Sequence, residues 1–476
     1  MVDRVLTPAV VYCIAKKPPV RLDSPQTGAH PIVTSLPAGA GFGAIRAVGL
    51  SRMIDLQKQA NADLPVAAPV ALMHRGHRAA FAGVLHLGSG TAVLESVAQT
   101  LGRSPLTVLS EVVDRLLVRK GADWTGPILG EYVGLYGKAH GTFCVVSEKQ
   151  TGALVAHAAV FRSSIPGAPG LLAHVRTAEG WGSYGLGTLV TATVTGRALA
   201  QGASVVILDT DDKLHRRGEG ERAAFGLYGR LGYAVLAEKE MADALGWLMV
   251  IDRKVHNLFR QREATGSVDC ALGLPTEVIQ AQQELIEATR CRYSTATRPS
   301  EPSAVRPDDL ADLFLLLNLC PSGDFQVKLA SWGVVQGPEF ERAFVVDIRP
   351  AILDRDRLED ASMVLRDGGA GIVAVCAARQ AVPFSRQAYH IDFYCVPEFL
   401  ATHPDLVRDL LEATIDRIRS ATDRPRPCRL LHAGVDARKL EVFARLGFGR
   451  GANRHALHRS GGSRMLLLDE YEKALA

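Results

Sequence analysis

The chain has 476 residues, 47% of them hydrophobic and 22% charged, with a formal net charge of +4. That balance excludes global disorder, the length allows two to four domains, and so small a net charge singles out no class of partner. No apolar run is long enough to span a bilayer, and the eight cysteines are scattered without CxxC pairs or histidine partners at ligand spacing, so neither a disulfide framework nor a metal site is expected and the compartment expected is the reducing cytoplasm.

The first 69 residues carry Pro/Gly-rich segments around an expected helix from Ala44 to Asn61. Their apolar run Val5 to Ala15 contains Pro8 and ends in Lys16-Lys17 without a small-residue cleavage site, so it reads as a strand and not a leader. From Val70 an extended run, VALMHRGH, precedes helical patterns at Ala92 to Leu101 and Leu106 to Arg119. Strands Thr142 to Ser147 and Leu154 to Arg162 flank a turn with Gly152 and read as a hairpin. A third strand, Leu171 to Thr177, runs into a bend holding Gly180, Gly182, Gly185 and Gly187, and then into a helix. A helix start leaves backbone N–H groups unpaired and carries partial positive charge, and glycines let a phosphate reach that backbone. The loop therefore reads as a pyrophosphate cradle, although it lacks both the Lys-Ser/Thr of a P-loop and the GxGxxG of a dinucleotide fold. Strand Ser204 to Leu208, a polar insert from Asp209 to Gly220, and ERAAFGLYGRLGYAV come next.

Residues 256–300 hold a polar helical stretch, Thr276 to Thr289, and a Ser/Thr/Pro segment, which together read as a linker. Beyond it come a helix from Pro307 to Leu319, a hairpin from Met363 to Ala378, a strand from Ala388 to Val396, a helix from Pro404 to Ser420, a short strand at Leu430, and LEVFARLGFGRG. Phe443-ARLGF echoes Tyr228-GRLGY, so the chain reads as an internal repeat whose period is a whole domain.

Gly182-x-x-Gly185-x-Gly187, with Tyr228, Gly232 and Tyr233 further on, resembles the glycine-loop and tyrosine motifs of the GNAT superfamily of N-acetyltransferases. Two departures stand out: the family's Arg/Gln at the head of the loop is Gly182, and its frequent Asn seven residues before the tyrosine is Glu221. The resemblance implies an α/β (α+β) fold of two tandem GNAT-type mixed-sheet domains with flanking helices. Their expected limits are an N-terminal extension at 1–69, a GNAT domain with an acyl-CoA-type site at 70–255, a linker at 256–300, and a degenerate GNAT domain at 301–476. Degeneracy is expected because element order puts Asp405 and Val407 at the places of Gly185 and Gly187, Pro404 removes a donor, and Phe443 cannot give a proton.

The resemblance also assigns roles. Backbone donors of Ser183, Tyr184, Gly185, Leu186, Gly187 and Thr188 would hold the pyrophosphate of acetyl-CoA or another acyl-CoA, and the Val175 to Thr177 backbone would meet the pantetheine arm and the thioester carbonyl. Tyr228 matches the position whose phenol protonates the departing thiolate; a phenol near pKa 10 still holds its proton at pH 7. No base is marked, since the family's base positions are Ala173 and Leu171 here. His174 and Glu179 lie beside them, with His174 expected by strand alternation to face the other side of the sheet; His157, Asp209 and Glu221 are further candidates.

The expected function is transfer of an acyl group from an acyl-CoA-type thioester to a small-molecule amine, in secondary metabolism or resistance, without a metal or a membrane. An acyl carrier protein could deliver the same pantetheine arm. The alternative donor is aminoacyl-tRNA, as in tandem GNAT-like aminoacyltransferases, because Asp423 to Arg464 holds ten Lys/Arg against three acids and could serve phosphates. A lesser alternative is a non-catalytic scaffold or sensor.

Overall fold

The computed structural model describes residues 32–33, 66–73, 80–117, 141–163, 165, 167–182, 184–211, 223–241, 244–265, 274–293, 296, 299–306, 309–319, 361–368, 371–379, 388–421, 427–432, 437–458 and 465–475. The strand expected at Val5 to Ala15, the helix expected at Ala44 to Asn61, Ser183, most of the polar insert and Glu221 lie outside them. Among the described residues, no helix is long and apolar enough to cross a membrane. The chain forms two compact units, Met1–Ala237 with Trp247–Ile286, and Glu238–Gly246 with Glu287–Ala476.

The first unit begins with β1 (Ile32–Val33), β2 (Val66–Met73) and β3 (Ala80–Gly88). The extended run expected from Val70 overlaps the end of β2, and its residues 74–77 lie outside the described residues. Strand β3 is unmarked in the sequence, because Ala80, Ala82 and Gly83 carry too little apolar bulk to show an alternation. Gly83 is required there: a Cβ would stand 2.4 Å from the carbonyl oxygen of Ser147 and 2.6 Å from the Phe81 ring. Helices Gly90–Leu101 and Pro105–Val112 come next, the second capped by Ser104, whose hydroxyl accepts from the Thr107 N–H, with Pro105 at a position where its missing N–H costs nothing. Then come β4 (Gly141–Glu148), β5 (Leu154–Arg162), β6 (Gly170–Thr177), helix Leu186–Ala200, β7 (Val205–Asp211), helix Ala223–Arg230, β8 (Ala234–Met241), β9 (Ala244–Asp252), and helices Arg253–Thr265 and Thr276–Cys291; the end of β8, the start of β9 and the last turn of helix Thr276–Cys291 are the parts that fall in the second unit.

The sheet runs β1-β2-β3-β4-β5-β6-β7-β9-β8. Neighbours from β1 to β6 are antiparallel, and β6 meets β7 in parallel because helix Leu186–Ala200 crosses over between them. That helix is buried almost all round, packing on β4, β5, β6 and β7 and on helix Arg253–Thr265, so its sequence shows no polar face. Its last turn is closed by Arg253, whose guanidinium donates to the carbonyls of Leu199 and Ala200. Further along helix Arg253–Thr265, Phe259 fills the place of a Gly232 side chain: a Cβ there would meet the ring at 2.6 Å. Helix Thr276–Cys291 adds Gln282, which donates to the Gly232 carbonyl at 2.9 Å from a buried position. The polar stretch read as a linker thus includes two helices that pack through one face.

The second unit holds β10 (Ser303–Ala304), helix Leu310–Leu319, β11 (Met363–Asp367), β12 (Gly371–Arg379), β13 (Tyr389–Cys395), helices Pro397–Thr402 and Pro404–Ala421, β14 (Cys428–His432), helix Ala437–Arg445, β15 (Gly449–His458) and β16 (Met465–Lys473). Its sheet order is β10-β11-β12-β13-β14-β16-β15, with β13 and β14 parallel. Each sheet therefore ends alike, in one parallel pair and a hairpin whose second strand inserts next to it. Both units are mixed α/β, with antiparallel sheets interrupted by one helical crossover.

Candidate functional site

The site is organised by the place where β6 leaves β7. The two strands pair at Gly170↔Val206 and Leu171↔Ile207, and among the described residues they form no further rung. On its other edge β6 stays on β5, but its register shifts: His157 faces Arg176 and Ala159 faces Ala173, so His174 and Val175 together oppose Ala158. This is a β-bulge, and His174 takes a left-handed φ of 56° in it, the single positive-φ non-glycine among the described residues. Alternation does not carry across a bulge, so the expectation that His174 faces away from the sheet side of Ala173 loses its premise. Its ring is partly exposed and stands edge-on to Phe161 at 6.0 Å.

Past Thr177 the chain enters the glycine loop. Ala178 N–H donates to the Val155 carbonyl, and Glu179 is exposed in the turn immediately after it. Trp181, which the sequence reading did not single out, anchors this loop. Its ring meets buried Phe81 edge-on at 5.4 Å and Tyr184 at 5.8 Å, while Phe81 and Tyr184 lie 6.1 Å apart. Such ring pairs contribute ~0.5–1.5 kcal/mol each beyond area burial. The anchor holds a loop in which Gly180 and Gly182 have no neighbour within 4 Å of a would-be Cβ.

Gly185 closes the loop as the N-cap of helix Leu186–Ala200, in the left-handed region at φ 80°. An L side chain there would be strained, and a side chain on the cap would stand at the helix's positive end. Leu186 is buried, whereas Gly187 and Thr188 are partly exposed in the first turn, as are Tyr184 and Gly185 before it. Gly187 is also where three elements converge. A Cβ on it would lie 3.3 Å from Leu227, on helix Ala223–Arg230, and 3.7 Å from Thr177 Oγ1, at the end of β6. Tyr228 is the next residue on that helix, nearly buried, its ring 5.9 Å from Tyr233. Tyr233 is buried with its phenol 2.7 Å from Thr195 Oγ1, and burial, above all, pushes its pKa far above the usual range. Of the two phenols, Tyr233 is fixed in the interior by Thr195, and Tyr228 follows Leu227, the residue that meets Gly187.

The candidate bases separate on burial. His157 is fully buried, and desolvation holds its pKa down at about 4, so it is neutral and too weak a base at neutral pH to deprotonate an ammonium. Asp209 lies within β7, and Glu221 lies outside the described residues. His174, at the bulge, and Glu179, in the exposed turn, keep access to solvent.

In the second unit, β13 and β14 likewise pair at two rungs, Tyr389↔Cys428 and His390↔Arg429. The glycine loop has no counterpart: helix Pro397–Thr402 comes directly after β13, and helix Pro404–Ala421 begins after His403. Counted from the helix starts, His403 and Asp405 stand where the first unit has Gly185 and Gly187, two residues from the alignment by element order. Phe443 takes the tyrosine position and stacks on Phe393 at 5.6 Å.

No protein-family profile and no curated protein matches the chain. Solved structures do. A putative acetyltransferase, yncA, from Salmonella typhimurium with its cofactor acetyl-CoA is 15% identical over 38% of this chain and 95% of its own, with a TM-score of 0.28. Ribosomal-protein-alanine N-acetyltransferase from Brucella melitensis is 19% identical over 37% of this chain and 100% of its own, TM-score 0.28. Ribosomal-protein-S5-alanine acetyltransferase from Vibrio fischeri is 16% identical over 37% and 97%, TM-score 0.27. Each likeness covers part of the chain, and the functional reading rests on the site's own residues.

Proposed function

We propose that the first unit is an N-acyltransferase of the GNAT type that takes its acyl group from a thioester of acetyl-CoA or another acyl-CoA. The observation that carries this reading is the convergence at Gly187 of three elements: the strand end at Thr177, the helix start behind Gly185, and the helix bearing Tyr228. A pyrophosphate fits a helix start entered through glycines, because N–H groups and the helix dipole meet it without side-chain clash. Between the parting strands β6 and β7, the Val175–Thr177 backbone suits an extended amide-bearing arm.

The reaction balances within this set. The amine nitrogen attacks the thioester carbonyl carbon, a backbone N–H of β6 stabilises the oxyanion, the C–S bond breaks, and Tyr228 gives its proton to the thiolate. The amine's proton leaves to water, directly or through His174 or Glu179, and Tyr228 recovers its own from solvent. The acceptor is a small-molecule amine, and a role in secondary metabolism or resistance suits it.

An aminoacyl-tRNA donor is the weaker reading. Within the basic stretch, Arg429 pairs with Glu472 at 2.9 Å and Arg445 with Glu441 at 2.6 Å, which lowers the charge left for phosphates. Calorimetric titration with acetyl-CoA at two salt concentrations tests the proposal. Saturable binding that depends weakly on salt is expected; no binding overturns it and turns the search to a carrier-protein or tRNA donor.

A further inference from the structure

His157 takes no part in the chemistry above, yet it stands across from Arg176, within the Val175–Thr177 stretch. It is fully buried on β5, and its Nδ1 lies 2.9 Å from the carbonyl oxygen of His174. A carbonyl oxygen can only accept, so Nδ1 carries the proton and donates. Burial, first of all, and the nearby Arg176 keep the ring neutral, against the opposing pull of that carbonyl.

The residue whose carbonyl it holds is the strained one. A left-handed non-glycine backbone is strained and persists only where its surroundings fix it. The hydrogen bond from His157 gives the His174 carbonyl a partner in that conformation. The contact thus favours the bulged register, flanked by the rungs Ala159↔Ala173 and His157↔Arg176. Its place matters as well. Leu171 makes the last β6–β7 rung, and the bulge at His174 comes between that rung and Val175–Thr177.

We infer that His157 is a positioning residue for the acyl donor: by holding the His174 carbonyl it fixes the bulge that bends β6 away from β7 and presents Val175–Thr177 to the thioester arm. The inference rests on the donor reading proposed above. A buried histidine that merely fills space would support the fold without setting donor affinity.

The test is calorimetric titration of the full chain with acetyl-CoA, with thermal unfolding measured in parallel. His157→Leu removes the donor and is expected to weaken binding at least tenfold. His157→Asn puts an amide N–H close to the Nδ1 place and is expected to bind within threefold of the unaltered protein. Leu85→Ala, a buried position on β3, lowers thermal stability while leaving affinity within threefold. Should His157→Leu not fold, His157→Gln, whose amide falls nearer the Nε2 place, takes its part and is expected to bind weakly. Undiminished binding by His157→Leu or its replacement, equal losses in the Asn and Leu or Gln variants, or an equal loss in Leu85→Ala each overturns the assignment to His157 alone. Absence of binding by the unaltered protein overturns the donor reading, and this assignment with it.

Discussion

Lys439 Nζ stands 2.6 Å from Asp392 Oδ1, and both side chains are all but sealed from solvent. Asp392 lies on β13 beyond the last rung to β14 at His390, and Lys439 reaches it from the helix after β14. The ammonium also faces the rings of Phe393 at 5.1 Å and Tyr394 at 4.8 Å. Counted from the first rungs at Tyr389 and Gly170, Asp392 occupies the place of Ala173. The second unit thus carries a buried charge pair just past the last β13–β14 rung. Titration with acetyl-CoA is expected to give one site per chain; two sites would contradict the reading of the second unit as degenerate. Lys439→Met alone is expected to lose ~3–5 kcal/mol in denaturant unfolding, because it strands a buried carboxylate, and adding Asp392→Leu should recover most of that loss.

Tyr228→Phe keeps the ring's packing on Tyr233 and removes the acid. Turnover is expected to fall ~10²–10⁴-fold, with acetyl-CoA affinity within threefold. Unchanged turnover with a working acceptor would take Tyr228 out of the mechanism.

Gly185→Asp places a side chain on a backbone at φ 80° and a carboxylate in front of the helix start. Calorimetry should show acetyl-CoA binding lost, while circular dichroism keeps its shape and the melting temperature falls by a few degrees. Binding retained within threefold would sink the phosphate-cradle assignment.

Gly232 is held on both sides, by Phe259 at its α-carbon and by Gln282 at its carbonyl. Gly232→Ala is expected to cost more than ~2 kcal/mol, from the left-handed φ of 96° and the ring contact together. Phe259→Leu in the same chain should return the steric part and leave the backbone part. Strict additivity in a double-mutant cycle would show that ring and glycine do not interact.

Acid should loosen the first unit. His86, His157 and His256 are each held down to about 4, chiefly by burial. Between that value and the ordinary 6.5 the unfolded chain binds protons that the folded chain does not, so stability falls as pH drops through this window, by at most ~3 kcal/mol per histidine. Asp312, in the second unit, acts the other way: burial, offset by Arg292 and Arg366 and reinforced by Asp309, raises it to about 7. Its contribution is present at low pH and is lost as pH rises from 3.8 to about 7. Denaturant unfolding at pH 7.5 and 4.5 should show the histidine slope, reduced in His86→Gln. An unchanged slope in that variant would place the proton uptake elsewhere.

The strand, glycine loop and helix around Gly185 were legible because the mark is local: four glycines within eight residues, Gly180 to Gly187, separate two largely apolar stretches. The hairpins at Gly152 and Asp367 were legible for the same reason. What depends on distant partners was not. His174 carries no mark of a left-handed bulge, since the cause is a ring on the neighbouring strand, and the anchor of Trp181 is a phenylalanine on β3. Gly232 announced a turn in its own segment, yet the ring that makes glycine obligatory there belongs to Phe259. The repeat was read from the likeness of Tyr228-GRLGY and Phe443-ARLGF, whereas nothing in the local sequence marks the pairing of Lys439 with Asp392, which joins a helix to a distant strand.

Arg253, Phe259 and Gln282 set a limit on where the first unit can be cut. Ending it at residue 255, where the repeat's element order stops, would keep the guanidinium that closes the loop helix but discard the ring and the amide that secure the turn after Tyr228. A piece that retains the loop's far end and the Tyr228 helix in their present surroundings runs through the helix Thr276–Cys291. A binding assay on anything shorter would measure the loss of those braces and would not speak to the chemistry.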